Sequence, residues 1–411
     1  MKNKKVIINI FDIVLFALLL CVATNKMFHL FLNQAVVTDG SYFSDIKAYV
    51  QEVLGTNELY DFPYRVMFKT ASIIMNFCGS AELAMALTIT FYNFIAIIIT
   101  KIFITYTTKA KVFSTLATFG LFFASMIYSD WFASKLIGYT YLGVFSPNPW
   151  HNGTYMAARP FMILSFMFGA ITVSRYEEDF KDKPTLKVVA LYIAYALSLL
   201  LVTMTKPSYT IIHLFTLAFI MLFRFCKAKF ANFKQSLIYA ICYIPTLIEL
   251  LGQYSGVFTG TTARGEESGI GIELFRVWNQ YTPNLPLSLF LAGAFPIVVL
   301  IFHFKSLKND NYYRFSWQLY LAGLLTSVVF YEKGFREGHF NFAWGYMCGL
   351  FIVFLTAFIV WIKDAMSLMT LEKTARVRMI CMLAVQAVPM VAQVLLGCKY
   401  FLYLYRGGLY Y

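Results

Sequence analysis

Runs of about 20 apolar residues recur along this chain, each closed by Lys, Arg or polar residues, and that pattern leaves few folds open. Each run is long enough for one helix to cross the hydrocarbon core of a bilayer. Hydrophobic residues make up 59% of the sequence and charged residues 13%, roughly half the charge of a soluble domain. The runs predict an all-α polytopic membrane protein of about eleven transmembrane helices. Their expected spans are 6–32, 80–107, 112–136, 155–173, 187–203, 207–224, 235–252, 285–303, 317–331, 341–362 and 377–396, the third breaking near Ser129, Asp130 and Trp131. The first run, Val6 to Ala23, follows a basic start, but Lys26 and His29 come next where a leader would offer small residues. It reads as a retained span.

Charge sets the sidedness. With the N-terminus inside, the cytoplasmic segments are 1–5, 108–111, 174–186, 225–234, 304–316 and 363–376. Counted to the nearer membrane end, this face holds 21 of the 34 Lys and Arg and 8 of the 21 Asp and Glu. The whole net charge of +13 is then cytoplasmic. That is a membrane-surface signature and not the stripe that binds nucleic acid. Residues 64–78 could be taken as a short span, which would flip every later loop. Their length and the charges of Arg65 and Lys69 favour a helix lying in the outer interface. The seven cysteines are scattered, with no CxxC pair, and read as buried small hydrophobes. No zinc-ligand spacing, GxGxxG loop or Walker sequence occurs. No metal or cofactor is expected.

The unusual residues fall on the outer face, in loops 33–79, 137–154, 253–284 and 331–341. Long connections of this kind carry function more often than short ones. In "SYFSDIKAYVQEVLG", Ser44 is the expected N-cap, and Ile46, Tyr49, Val50, Val53 and Leu54 share one face of an interfacial helix. Asp39 and Asp45 then lie at the boundary of water and lipid. Asp39 can be read as a turn acid before Gly40, and Asp45 as a helix-start acid. Either could instead be a catalytic base, although a helix dipole would make Asp45 a weaker one.

"SPNPWHNGTYMAARPF" is the second constellation. Its prolines forbid regular helix over 147–149, which puts Trp150, His151 and Asn152 at the mouth of the fourth span. Asn152-Gly153-Thr154 matches a glycosylation sequon that chance supplies easily. Arg159 either snorkels or binds an anion inside the bundle. Lys206 in "TKPSY" sits between the fifth and sixth spans, and Arg276 falls on an amphipathic return helix. Arg159, Lys206 and Arg276 could converge on one phosphate. Arg264 and Arg336 read as solvated, and His151 and His339 as structural or catalytic.

An early outer-loop acid with interfacial helices after the first span resembles the GT-C superfamily of membrane glycosyltransferases. The pieces that carry the resemblance are "SDIKAYV", "YDFPYRVMF", "NPWHNGTYMAARPF", "TKPSY" and "FNFAWGY". The match covers most of the chain and is firmest over 1–225, as a catalytic module, with 226–411 as a variable C-terminal membrane module. The resemblance implies a polyprenyl-phosphate-linked sugar as donor, a glycan acceptor, inversion at the anomeric carbon, and Asp45 or Asp39 as base. It implies a multi-pass protein of the bacterial inner membrane with its site on the outer face. Several GT-C families carry adjacent acids in this loop, whereas here the two stand six apart.

The chemistry agrees with that class. A carboxylate can take the acceptor proton, fixed cations can hold the departing phosphate, and Trp150, Tyr42 and Trp278 offer faces to a sugar. His151, Asn152 and His339 would complete the sugar and acceptor contacts. Two other readings remain: a polysaccharide polymerase or ligase using a lipid-linked oligosaccharide, and a flippase or transporter for a lipid-linked glycan. A transporter predicts mid-span charges and inverted repeats.

Overall fold

A computed structural model describes residues 2–58, 62–128, 142–258 and 269–409. Among these the chain is a helical bundle with one short antiparallel strand pair. The bundle opens with α1 (Lys2–Val36), followed by two short amphipathic helices, α2 (Ile46–Leu54) and α3 (Arg65–Cys78). Next come α4 (Ala81–Thr108), α5 (Lys111–Phe123), α6 (Gly153–Asp179), α7 (Leu186–Thr205) and α8 (Ser208–Lys227). The remainder is α9 (Phe233–Ile241), α10 (Ile244–Phe258), α11 (Leu285–Ala292), α12 (Ala294–His303), α13 (Asn311–Val329), α14 (Ala343–Ser367) and α15 (Lys373–Tyr405).

Seven of these helices are long and apolar enough to cross a membrane, or up to nine if each bent pair is one span. Each of the eleven expected runs contains helix among the described residues, but several are not simple spans. The α9–α10 pair bends by 56° and the α11–α12 pair by 82°. Among its described residues the third run forms α5, of 13 residues, whose C-cap Ala124 is already extended. Its expected break at Ser129 lies outside the described residues, as does Arg264.

Local chemistry sets the helix ends. Ser80, Asn152, Thr185 and Asp310 each accept a backbone N–H from the first turn of α4, α6, α7 and α13. Glycines in the left-handed region close the two amphipathic helices, Gly55 after α2 and Gly79 after α3. The α2 cap is Asp45 and not Ser44, whose hydroxyl instead accepts from the Ile46 N–H. Ile46, Tyr49 and Val50 are buried as expected, whereas Leu54 is exposed.

Helix α14 is the axis of the bundle, with 94% of its apolar window buried, against 11% for α1 and 17% for α15. Small residues let α13 approach it. A Cβ on Gly349 would stand 2.7 Å from the Tyr320 Cα, and one on Gly323 would stand 2.8 Å from the Tyr346 Cα. Gly345 and Gly349 are spaced as in the small-xxx-small motif of membrane helix pairs. Gly349→Leu is expected to cost about 3 kcal/mol or more, because backbone cannot give way as a side chain can. Thermal unfolding in detergent checks this against Gly252→Leu. Gly252 has nothing within 4 Å and should tolerate the change.

At one end of the bundle Asp12 of α1 and Lys101 of α4 form a buried ion pair at 2.8 Å. The Thr115 hydroxyl and the Lys111 carbonyl complete it. It ties α1, α4 and α5 together with each charge satisfied. Among the cysteines only Cys348 is buried. Cys21, Cys226 and Cys381 lie exposed on apolar helices, where a thiol suits lipid as well as a core.

Candidate functional site

At the other end, the start of α6 meets the loop after α1. The Asp45 N–H donates to the His151 carbonyl at 3.1 Å. Asn152 Nδ2 donates to Asp45 Oδ2 at 2.6 Å. The two constellations of the sequence therefore touch.

Their contact is one part of a ring of polar contacts. Asn152 Oδ1 accepts from the Tyr155 N–H, capping α6, and from the Thr154 hydroxyl, each at 2.9 Å. Thr154 Oγ1 accepts in turn from Lys206 Nζ at 3.1 Å and lies 3.4 Å from the Tyr49 hydroxyl. Tyr49 closes the ring on Asp45 Oδ2 at 3.5 Å. Asp45 Oδ1 receives no hydrogen bond from the described residues.

The charges in this ring are poised. Burial raises the Asp45 carboxyl above its ordinary range, against the pull of the Asn152 hydrogen bond and the Lys206 charge. The carboxylate makes no side-chain cap hydrogen bond to its own helix. Asp39 stands in contrast. It lies at the surface, accepts from the Ser41 hydroxyl and N–H, and is held below the usual carboxylate range by that hydroxyl first.

Lys206 is 5% exposed and has no carboxylate within 4.0 Å among the described residues. Among the described residues the Thr154 hydroxyl is the one hydrogen-bond partner of its ammonium. Its ammonium faces the Trp344 ring at 4.5 Å and the Tyr64 ring at 5.8 Å. Burial pushes its pKa down to about 8, with Asp45 opposing. An ammonium carries three donors, so two of them have no acceptor among the described residues.

Loop 330–341 supplies a second ion pair beside Lys206. Strand β2 (Phe330–Glu332) pairs antiparallel with β1 (Ile270–Ile272). Glu332 is held by Arg336 at 3.0 Å and by Asn341 Nδ2 at 2.8 Å, and its charge acts on Lys206. Burial raises its carboxyl. Arg336 is therefore mostly covered and paired, not solvated as expected, because the strand pair folds its loop onto the bundle. Residues from the C-terminal half thus join the cluster.

The expected phosphate cradle is not formed by all three cations. Arg159 is fully buried and donates to the side chains of Asn93 and Asn148 and to the Pro147 carbonyl. It holds the proline-broken segment against α4, neither snorkelling nor facing Lys206's partners. Arg276 is exposed and neutralised by Glu273 and Glu337, and it covers the Tyr331 ring at 4.5 Å. It ties the β1 loop to the β2 loop.

The aromatic platforms also differ from expectation. Trp150 is enclosed by Phe31, Phe123 and Phe401, and Trp278 by Phe145, Phe340 and Tyr346. Both are core residues, drawn inward by their large apolar area. Tyr42 donates to the Tyr405 carbonyl at 3.1 Å and fastens the end of α15. His339 is exposed beside Phe335. His151 stays with the cluster, buried against Trp344, and burial lowers its pKa to about 3. It is a neutral imidazole at physiological pH.

Thr154, Trp344, Tyr64 and Glu332 are not singled out by sequence reasoning as site residues. A signal for Thr154 existed, since Asn-Gly-Thr before an apolar run is also an N-cap pattern. Among the described residues, no three His, Cys, Asp or Glu side chains gather as metal ligands. No family model and no curated protein matches this chain.

Proposed function

We propose that this protein is an inverting membrane glycosyltransferase. It would move a sugar from a polyprenyl-phosphate-linked donor to an extracytoplasmic glycan or cell-envelope acceptor. The observation that carries the reading is the joining, in one cluster of polar contacts, of a raised carboxyl and a buried ammonium that has no carboxylate within 4.0 Å among the described residues.

Such a pair suits a single displacement. Asp45 Oδ1 takes the acceptor hydroxyl proton as that oxygen attacks the anomeric carbon. The bond from that carbon to the phosphate oxygen breaks, and its electron pair leaves with the phosphate. Lys206 stabilises the charge gathering there. Asn152 and Tyr49 hold Oδ2 and so aim Oδ1. Neutral His151 and the Trp344 ring offer contacts to the sugar without adding charge. The positive-inside pattern puts the ring on the outer side of a bacterial inner membrane in this reading.

Purified protein in lipid nanodiscs, supplied with polyprenyl-phosphate sugars and glycan acceptors, is expected to release free polyprenyl phosphate. Movement of intact lipid-linked sugar between leaflets, with no release from any donor, would overturn the proposal in favour of transport.

A further inference from the structure

The end of the bundle away from Asp45 holds a cavity of about 720 Å³ between α6, α8 and α13. It is about 30 Å from the ring, since α6 reaches it only near Ala170 and Val173, after roughly 20 residues of helical rise. Phe219, Ile220, Phe223 and Phe315 give it apolar walls, and Phe219 and Phe223 are exposed on the bundle's apolar outside. Arg224 and Arg314 line the same space, close enough for each to feel the other's charge.

Neither guanidinium has a carboxylate within 4.0 Å among the described residues. Arg224 donates once, to the Val173 carbonyl at 2.6 Å. Arg314 donates to the Leu307 and Lys308 carbonyls and to the Asn311 side chain, all uncharged. The one acid of the lining, Glu177, accepts at Oε1 from Asn232 Nδ2 at 2.6 Å and from the Tyr176 hydroxyl at 3.2 Å, and neither arginine pairs with it. Three cations, Arg224, Lys227 and Arg314, face this space with one carboxylate, so the lining carries a positive excess that an anion between the arginines would offset. A guanidinium fork matches phosphate oxygens. The cavity's size is that of a small-ligand site.

We propose that this cavity binds a phosphate group, with Arg224 and Arg314 on either side of it and Gln318 as a further donor. The aromatic walls open on the apolar surface suit a lipid-borne phosphate, while a free phosphate would satisfy the same cations. The proposal is independent of the Asp45 ring.

Delipidated protein in detergent is titrated with phosphatidylglycerol, with phosphatidylcholine and with inorganic phosphate, and retained ligand is counted by native mass spectrometry. Wild type is expected to retain one phosphatidylglycerol over phosphatidylcholine. The double variant Arg224→Gln/Arg314→Gln should lower retention at least about tenfold. Retention of inorganic phosphate alone, lost in the same variant, keeps the phosphate site and assigns it to the free anion. Gln318→Glu supplies an internal counter-ion without removing a cation, so it should displace the ligand while leaving the protein folded. Wild-type retention in both variants, or no preference for phosphatidylglycerol and no phosphate bound, overturns the proposal.

Discussion

Asp45→Asn is expected to lower turnover by about 10³-fold, within the span that a lost general base accounts for. Donor affinity should stay within a factor of about three, because the phosphate contact belongs to Lys206. The substitution keeps shape, and its amide oxygen can still accept from Asn152 Nδ2. Stability supplies the second readout. Burial raises the Asp45 carboxyl in the folded protein, so its ionised form is disfavoured there relative to the unfolded chain. A group shifted that way adds stability at low pH and loses it as pH rises through the folded value. At neutral pH the carboxylate is a cost, and the neutral amide should leave the melting temperature unchanged or higher. A structural acid would behave oppositely, with a lower melting temperature and turnover falling only in proportion to folded protein. Asp39→Asn is the matched control. Asp39 stands on an exposed turn outside the ring, so wild-type turnover is expected there. Inactivity of Asp39→Asn with an active Asp45→Asn would exchange the two roles.

Hydropathy and charge carried the helical architecture, because a bilayer forces backbone groups to bond within helices and so writes itself into composition. The same signals do not report where a helix stops short or bends. Those depend on tertiary packing, as at α5, where the chain turns extended and the Ser125 N–H donates to the Gln393 carbonyl of α15. The contact between the first loop and the proline-broken segment was legible, since both fell on one face by charge. The partners of each cation were not. Arg159, Lys206 and Arg276 look alike in sequence, yet one clamps a loop through Asn93 and Asn148, one is paired with glutamates, and one is left with a hydroxyl. Aromatic residues misled for a related reason. Trp150 and Trp278 could serve a sugar or a core, and only the packing of distant helices decides between them. The Gly323, Gly345 and Gly349 contacts lay within reach of a motif search, because helix pairs in lipid depend on small residues.

Lys206→Met is expected to weaken donor binding by about 10- to 100-fold, the range for losing a hydrogen bond to a charged group. Acceptor affinity should change little. Met roughly conserves the apolar stem between Trp344 and Tyr64, and it removes a buried charge that has no carboxylate within 4.0 Å among the described residues. The variant should therefore be at least as stable as wild type, which separates lost phosphate binding from general damage. The pH profile makes the assignment specific. Burial lowers the Lys206 pKa to about 8, so its ammonium is charged below that pH and loses its proton as pH rises through it. In the free enzyme, kcat/KM for the donor should fall along an alkaline limb near pH 8. A bound phosphate favours the charged form, so the corresponding limb in kcat should lie at higher pH. Lys206→Arg keeps a cation that does not deprotonate, and it should retain much of the binding while abolishing the limb. The same alkaline limb in Lys206→Met would move the titration to another group and take the phosphate contact away from Lys206.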